Sequence, residues 1–236
     1  MAITDRGGSR VSGIGRRRNR AQKSGSDSYQ QRRREIARAA AGVFNRKGFR
    51  GTSLGAVAAE LGIDRASLYY YIGSKEELFD EVVREVTEVN VARALAIEAS
   101  VDSPPEKLRA LIKDLMESYG RNYPLLYIYT RENLSHVAGD RSAWAAQMKR
   151  LNRRYEESAV AIIQQGVDDG TFRALGSARV IAFGILGMVG WTNRWFVPDR
   201  SPESAAEIGD GYAELILTGL VSSGAPRRAK LVAPGN

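Results

Sequence analysis

Arg65, Ser67, Tyr69, Tyr70 and Lys75 set a guanidinium, three hydroxyls and an ammonium close together, and Thr52 and Ser53 add two hydroxyls just upstream. Groups of this kind donate hydrogen bonds to phosphate oxygens and to base edges. Ser74-x-x-Glu77 is a capping box, so a helix starts there and Lys75 falls in its first turn. A cation in that position opposes the helix dipole, whereas a phosphate at the same end would receive both the ammonium and free backbone N–H groups. Solvation is the plain alternative for Lys75. Capping is the plain alternative for Thr52 and Ser53, and it is compatible with phosphate contact.

The elements that must hold these groups are short. Leu54, Val57, Ala58 and Leu61 recur at i, i+3, i+4 and i+7, which predicts one helix with a single apolar face, ended by Gly62 in a left-handed cap. Asp64 is placed to cap the next helix. There Leu68 and Ile72 point inward one turn apart, Tyr71 falls near the inward side and joins the core, and Arg65, Ala66, Ser67, Tyr69 and Tyr70 stay on the outer arc. A helix this short cannot persist alone, so its neighbours on either side must hold it. That is how a helix-turn-helix presents its second element to the major groove.

The run GIDRASLYYYIGSKEELF resembles the N-terminal signature of the TetR family of transcriptional repressors, with motif-level detail from about Tyr29 to Val83. The resemblance implies that Lys75 clamps the DNA backbone and that Arg65 and Ser67 read bases. It also implies that Tyr69 and Tyr70 offer hydroxyls to phosphate or base edges, and that Thr52 and Ser53 bond phosphate. Ile72 departs from the pattern, standing where an aromatic residue is usual. The change should alter packing beneath the recognition helix more than DNA contact.

Charge is concentrated at one end. The chain of 236 residues has a formal net charge of +8, and residues 1–34 hold all of the excess, ten basic against two acidic side chains. This leader of Gly, Ser and Arg has too little apolar surface to fold alone. Such an arm, continuous with Arg32, Arg33 and Arg34, can lie along phosphates or enter the minor groove; a solubilising tail is the alternative. It lacks the apolar stretch of a secretion signal, and no segment reaches the roughly 20 apolar residues a bilayer needs, so a cytoplasmic protein with no membrane partner is expected. There is no cysteine and only one histidine, which excludes thiol chemistry and a histidine-rich metal centre. No cofactor is implied.

Beyond Val83 the pattern is helical throughout and no strand pattern competes, so the fold class is all-α. The helix from Ser74 is expected to run to about Ser100, with a break at Ser103, Pro104 and Pro105 before the next. A further break at Gly120 to Pro124 precedes an apolar segment from Leu125 to Val137. A long helix follows from Arg141 to Val167, and two final helices span Ala178 to Phe196 and Pro202 to Val221. Val180 to Trp191 reads as a buried helix. Gly184, Gly187 and Gly190, spaced three apart, invite close helix approach, either within the chain or across a dimer; the family resemblance implies a four-helix dimer interface from the last two helices. The expected domains are a disordered basic arm (1–28), a three-helix DNA-binding domain with the helix-turn-helix (29–78), a larger helical ligand-binding and dimerisation domain (79–223) and a disordered tail (224–236).

Tyr119, Tyr123, Tyr127, Arg131, Trp144, Trp191, Arg194 and Trp195 are candidates to line a cavity, its aromatic walls holding an apolar ligand while polar groups orient its head. Ordinary core packing and surface ion pairs are the alternative. The ending WTNRWFVPDRSPESAAEIGDGYAELILTGL resembles a subgroup of actinobacterial TetR-type repressors that respond to acyl-CoA thioesters. That implies a bulky effector with an anionic end, to which Arg194, Arg131, Arg150, Arg153 or Arg154 would supply charge. The expected protein is a homodimer that binds a double-stranded palindromic operator and is released by a small-molecule effector. A rival is an architectural DNA-binding protein whose larger domain only dimerises. An enzyme has no support: no nucleophile has a partnered base, and there is no phosphate-cradling glycine loop.

Overall fold

A computed structural model describes residues 27–132 and 142–222, except for the side chains of Tyr127, Thr130, Arg131, Glu132 and Ser142. Residues 1–26 of the expected arm, the tail from 224 and the end of the apolar segment toward Val137 lie outside the described residues, while Asp27 and Ser28, expected in the arm, open the first helix. In chain order the helices are α1 (Asp27–Gly51), α2 (Leu54–Glu60), α3 (Arg65–Tyr71), α4 (Lys75–Ala99), α5 (Pro104–Arg121), α6 (Leu125–Glu132), α7 (Ser142–Asp168), α8 (Ala178–Trp191) and α9 (Ala205–Leu220), with a 3-10 turn at Thr192–Arg194. Among the described residues the only extended pairing is an isolated antiparallel bridge between Phe172 and Val221. The chain forms two compact units, one ending at Glu85 and the other beginning at Val86. The boundary falls seven residues beyond the expected one at residue 78, because Val82 and Val83 are buried and Glu81 and Glu85 pair with α1.

In the first unit α1 carries an inward stripe of Tyr29, Arg33, Ile36, Ala37, Ala40, Val43 and Phe44. Gly48 breaks the helical path at φ 67, ψ 170, a conformation open to glycine. Just past it Phe49 stacks on Phe44 at 5.9 Å and meets Phe79 edge-on at 5.1 Å. Leu54, Val57, Ala58, Leu68 and Ile72 complete the core beneath α2 and α3.

In the second unit α9 runs antiparallel along α5. Arg109 pairs with Glu214 at 2.9 Å and Lys113 with Asp210 at 2.7 Å. The approach is close because Gly209 faces the Lys113 backbone, where an added Cβ would lie 3.2 Å from Cα. α8 packs on α7 instead, so the last two helices do not simply bury each other. α8 stops at Trp191 rather than Phe196: Thr192 is fully buried and shares a 3.1 Å hydrogen bond with the Tyr212 hydroxyl, and the chain tightens into the 3-10 turn there. α9 starts at Ala205 rather than Pro202, since Ser204 and Glu207 form its capping box.

α8 is also less buried than its composition predicts. Ala182, Ile185 and Val189 face the core, while Val180 (69% exposed), Phe183 and Trp191 (60%) face outward beside Gly184 and Gly187.

At the end of α7, a Cβ built on Gly166 would overlap the buried Phe172 ring. Gly166→Ala should therefore destabilise the protein by about 1 to 3 kcal/mol through overpacking, measured as a lowered midpoint in urea with an unchanged slope.

Candidate nucleic-acid interface and ligand cavity

The turn between α2 and α3 has the expected chemistry. Gly62 adopts φ 63, and Asp64 accepts from the Ser67 N–H at 2.8 Å and the Ser67 hydroxyl at 2.6 Å. These bonds hold the Asp64 carboxyl below its ordinary range, the Ser67 hydroxyl bond contributing most. Arg65, Ala66, Ser67 and Tyr69 are exposed and Leu68 is fully buried beneath them. The Arg65 side chain lies over Gly55, where an added Cβ would sit 3.3 Å from Nε.

Other expected contacts are placed differently. Tyr70 is only half exposed, packed edge-on against Tyr29 at 5.7 Å and Tyr71 at 4.9 Å. Tyr71 is likewise half-buried, its ring 5.2 Å from Tyr29. Ser53 is exposed and caps α2 by accepting from the Ala56 N–H at 3.2 Å. Thr52 is not at the surface: it is 3% exposed and donates its hydroxyl to the Gly48 carbonyl near the end of α1 at 2.8 Å, leaving Ser53 alone as the cap of α2. Lys75 donates to the Phe49 carbonyl at 3.0 Å and sits 4.5 Å from that ring's centroid. The capping box at Ser74 is shifted. Ser74 accepts from the Glu77 N–H at 3.0 Å, but Glu77 accepts from the Gly73 N–H at 2.7 Å.

What positions α3 is a buried ionic cluster that was hidden in the Arg32–Arg34 run. Arg33 is 7% exposed; it donates to Glu77 and Glu81 at 3.0 Å each and to the Tyr71 carbonyl at 2.7 Å, at the end of the recognition helix. Arg84 also pairs with Glu81. Burial pushes the Glu81 carboxyl up, but Arg33 and Arg84 more than offset it and hold it below its ordinary value. Burial likewise works against the Arg33 charge, and Glu81 and Glu77 outweigh it. Arg33 therefore does not extend a DNA-binding arm. Arg32 bonds Glu35 at 2.7 Å and Arg34 bonds Gln31 at 3.0 Å, so this run is largely spent within the helix.

The second unit contains a cavity of about 190 Å³ lined by Thr87, Asn90, Leu115, Tyr119, Leu126, Tyr129, Asn152, Tyr155, Glu156 and Leu186. Of the expected ligand contacts only Tyr119 is on this wall. Trp144 stands behind it, edge-on to Tyr129 at 6.0 Å, and Tyr123 is half-buried outside the lining. Trp191, on the outward face of α8, and Arg194 and Trp195, beyond its end, are exposed, with Arg194 stacked 4.6 Å from the Trp191 ring. The Tyr127 and Arg131 side chains lie outside the described residues.

Tyr155 was missed: its hydroxyl is buried and has no hydrogen-bond partner. Beside the cavity an open groove of about 1010 Å³ shares Tyr129, Asn152 and Glu156 and carries Lys149, Arg153 and Arg179. Of the arginines expected to supply charge, Arg153 reaches this groove; Arg150 and Arg154 line neither space.

A solvent-facing second helix held over a tight turn, continued by one helix into an all-helical unit with a cavity, defines a DNA-binding transcription regulator. Residues 36–82 match the family model for bacterial regulatory proteins of the tetR family, and residues 101–220 match the tetracyclin repressor-like C-terminal domain. The chain belongs to the tetR family. It is 28% identical over 193 residues to the transcriptional repressor KstR2 of Mycobacterium tuberculosis, covering 82% of this chain and 94% of that one. The structure of PfmR from Thermus thermophilus is 31% identical with a TM-score of 0.64, covering 78% of this chain and 97% of that one. AibR, solved in complex with isovaleryl coenzyme A and operator DNA, is 26% identical with a TM-score of 0.60 over the same shares, 78% and 97%. These relatives are regulators. No helix among the described residues is long and apolar enough to cross a membrane.

The Glu81 ion pairs give stability a defined pH dependence. Because its folded-state pKa is depressed, the contribution is complete above the ordinary value of 4.5 and is lost as pH falls through the lower folded value. Glu81→Gln should cost about 3 kcal/mol at pH 7 and flatten the stability curve on the acid side, measured by urea unfolding across pH.

Proposed function

We propose that this protein is a homodimeric repressor that holds a palindromic operator when free and leaves it when an effector fills the second unit. The observation that carries the DNA half is the exposed arc of α3, where Arg65, Ser67 and Tyr69 face solvent while Leu68 is sealed beneath. In this proposal Arg65 and Ser67 read base edges in the major groove, and Tyr69, with Tyr70 at the edge of the arc, contacts phosphate or base. Ser53 and Lys75 take backbone phosphates, Lys75 exchanging the Phe49 carbonyl for DNA. The basic leader adds salt-dependent affinity.

Dimerisation is supported by the outward faces of α8 and α9. Val180, Phe183 and Trp191, with Leu215 (65% exposed), form apolar surface interrupted by glycines. Cβ atoms built on Gly184, Gly187, Gly190 and Gly219 would meet nothing within 4 Å, so packing inside the chain does not call for glycine there. A second copy approaching along these faces would. A two-fold dimer would set its recognition helices on successive major-groove faces about 34 to 36 Å apart.

An acyl-CoA thioester is the proposed effector, on the strength of the C-terminal resemblance and of the isovaleryl coenzyme A bound by AibR. The apolar wall of the cavity suits an acyl group, and Lys149, Arg153 and Arg179 in the adjoining groove suit an anionic end. Release would pass through α4, which supplies Glu77 and Glu81 to the Arg33 cluster and, within about three further turns, Thr87 and Asn90 to the cavity. An architectural protein without an effector would leave this cavity no role. Action in the cytoplasm is part of the same proposal.

Isovaleryl-CoA and stearoyl-CoA titrated into a complex of the protein with its own promoter DNA should weaken binding about 5- to 150-fold, read by fluorescence anisotropy. Affinity indifferent to both would remove the acyl-CoA half of the proposal. The double variant Phe183→Asp, Leu215→Asp should sediment as a monomer and lose most operator affinity while keeping its helical circular dichroism.

A further inference from the structure

Within the cavity the polar groups are unevenly used. The Tyr119 hydroxyl is hydrogen-bonded with Asn193, Asn90 accepts from the Ser118 hydroxyl at 2.8 Å, and the Asn152 amide is 3.5 Å from the Tyr129 hydroxyl. The Tyr155 hydroxyl alone among these is buried with no partner. A buried donor left unpaired is costly, and native structures rarely keep one without a use. The lining contains no lysine or arginine, and its one charged residue is Glu156. A carboxylate or phosphate seated here would meet no cation and face an anion.

We infer that Tyr155 is a specificity-determining residue that donates a hydrogen bond to an uncharged carbonyl oxygen on an otherwise apolar effector group seated in this cavity. The inference rests on the effector-binding role proposed above. Burial raises the Tyr155 pKa, with Tyr119 and Asp114 adding to the shift, so the group stays a protonated donor across physiological pH. Any charge on the effector must lie outside this cavity. At about 190 Å³ the cavity is smaller than the roughly 300 to 1,000 Å³ that holds a drug-sized molecule, so only a compact part of the effector is seated in it as the cavity stands.

Cyclohexanone and methylenecyclohexane have nearly the same shape and differ in C=O against C=CH2, which makes them direct probes. Their affinities for the full chain are measured by NMR titration, for wild type, Tyr155→Phe and Tyr119→Phe. Taking the ratio of the two affinities cancels the difference in their hydration between variants. Tyr155→Phe should lower the ketone-to-alkene ratio about three- to tenfold. Tyr119→Phe, whose hydroxyl is already satisfied, should leave it within about twofold, and Tyr155→Phe should be no less stable than wild type without probe. An unchanged ratio in Tyr155→Phe, an equal drop in both variants, or no binding of either probe overturns the inference. If the ratio shifts as expected while acyl-CoA esters leave operator binding untouched, the effector identity fails and the Tyr155 assignment stands. If those esters release DNA but the ratio does not respond to Tyr155→Phe, the reverse holds.

Discussion

A guanidinium can be kept in a helical core only when its donors are matched, and Arg33 meets that condition with two carboxylates and a carbonyl. The carboxylates come from α4 and the carbonyl from Tyr71, so one side chain of α1 fixes both the helix that follows the reading element and the end of the reading element itself. α3 is seven residues long and has no stability of its own. Its direction is set by Leu68 below, by the Asp64 cap at its start and by Arg33 at its end. Tyr29, buried beside Arg33, adds ring contacts to Tyr70 and Tyr71. The outer arc is therefore free to vary in chemistry while its placement is held from inside.

The second unit is built on a different principle. Its core is apolar and long-range, with α9 drawn against α5 by small residues and ion pairs along the seam. Lys107 is buried there and donates to the Glu98 carbonyl at 2.8 Å and to Gln165 at 3.0 Å, so the last carbonyls of α4 are held by a cation from α5. Ser158, one residue beyond Glu157 on α7, also has a buried hydroxyl without a partner, but of the two only Tyr155 lines the cavity.

Local signals in the sequence carried the reading head well. Asp64 before a short apolar period, Gly62 at a positive φ, Ser74 with Glu77, and Ser103 with Pro104 act within a turn of themselves, and each marks an element boundary in the structure. The errors arise where a distant residue decides. α8 ends at Trp191 because Thr192 meets Tyr212, twenty residues on, and nothing local announces that. Arg33 looked like one member of a basic run, although its spacing from Tyr29, Ile36, Ala37 and Ala40 puts it on the buried stripe and could have revealed it. Tyr155 sits between charged residues in NRRYEES, so composition marks it as surface; only the packing of α7 turns it inward. Trp191 and Trp195 show the converse, apolar side chains that the single chain does not bury.

The resting place of Lys75 bears on how any polyanion would be held at the start of α4. Its ammonium already has a carbonyl and an aromatic face within reach, so an incoming phosphate displaces existing partners instead of finding an idle charge. The net gain at this position is a difference between two occupancies, smaller than a fresh ion pair would give. The Phe49 carbonyl also accepts from the Thr52 N–H at 3.3 Å, so it keeps a partner if the ammonium leaves, and the Phe49 ring stays packed against Phe44 and Phe79.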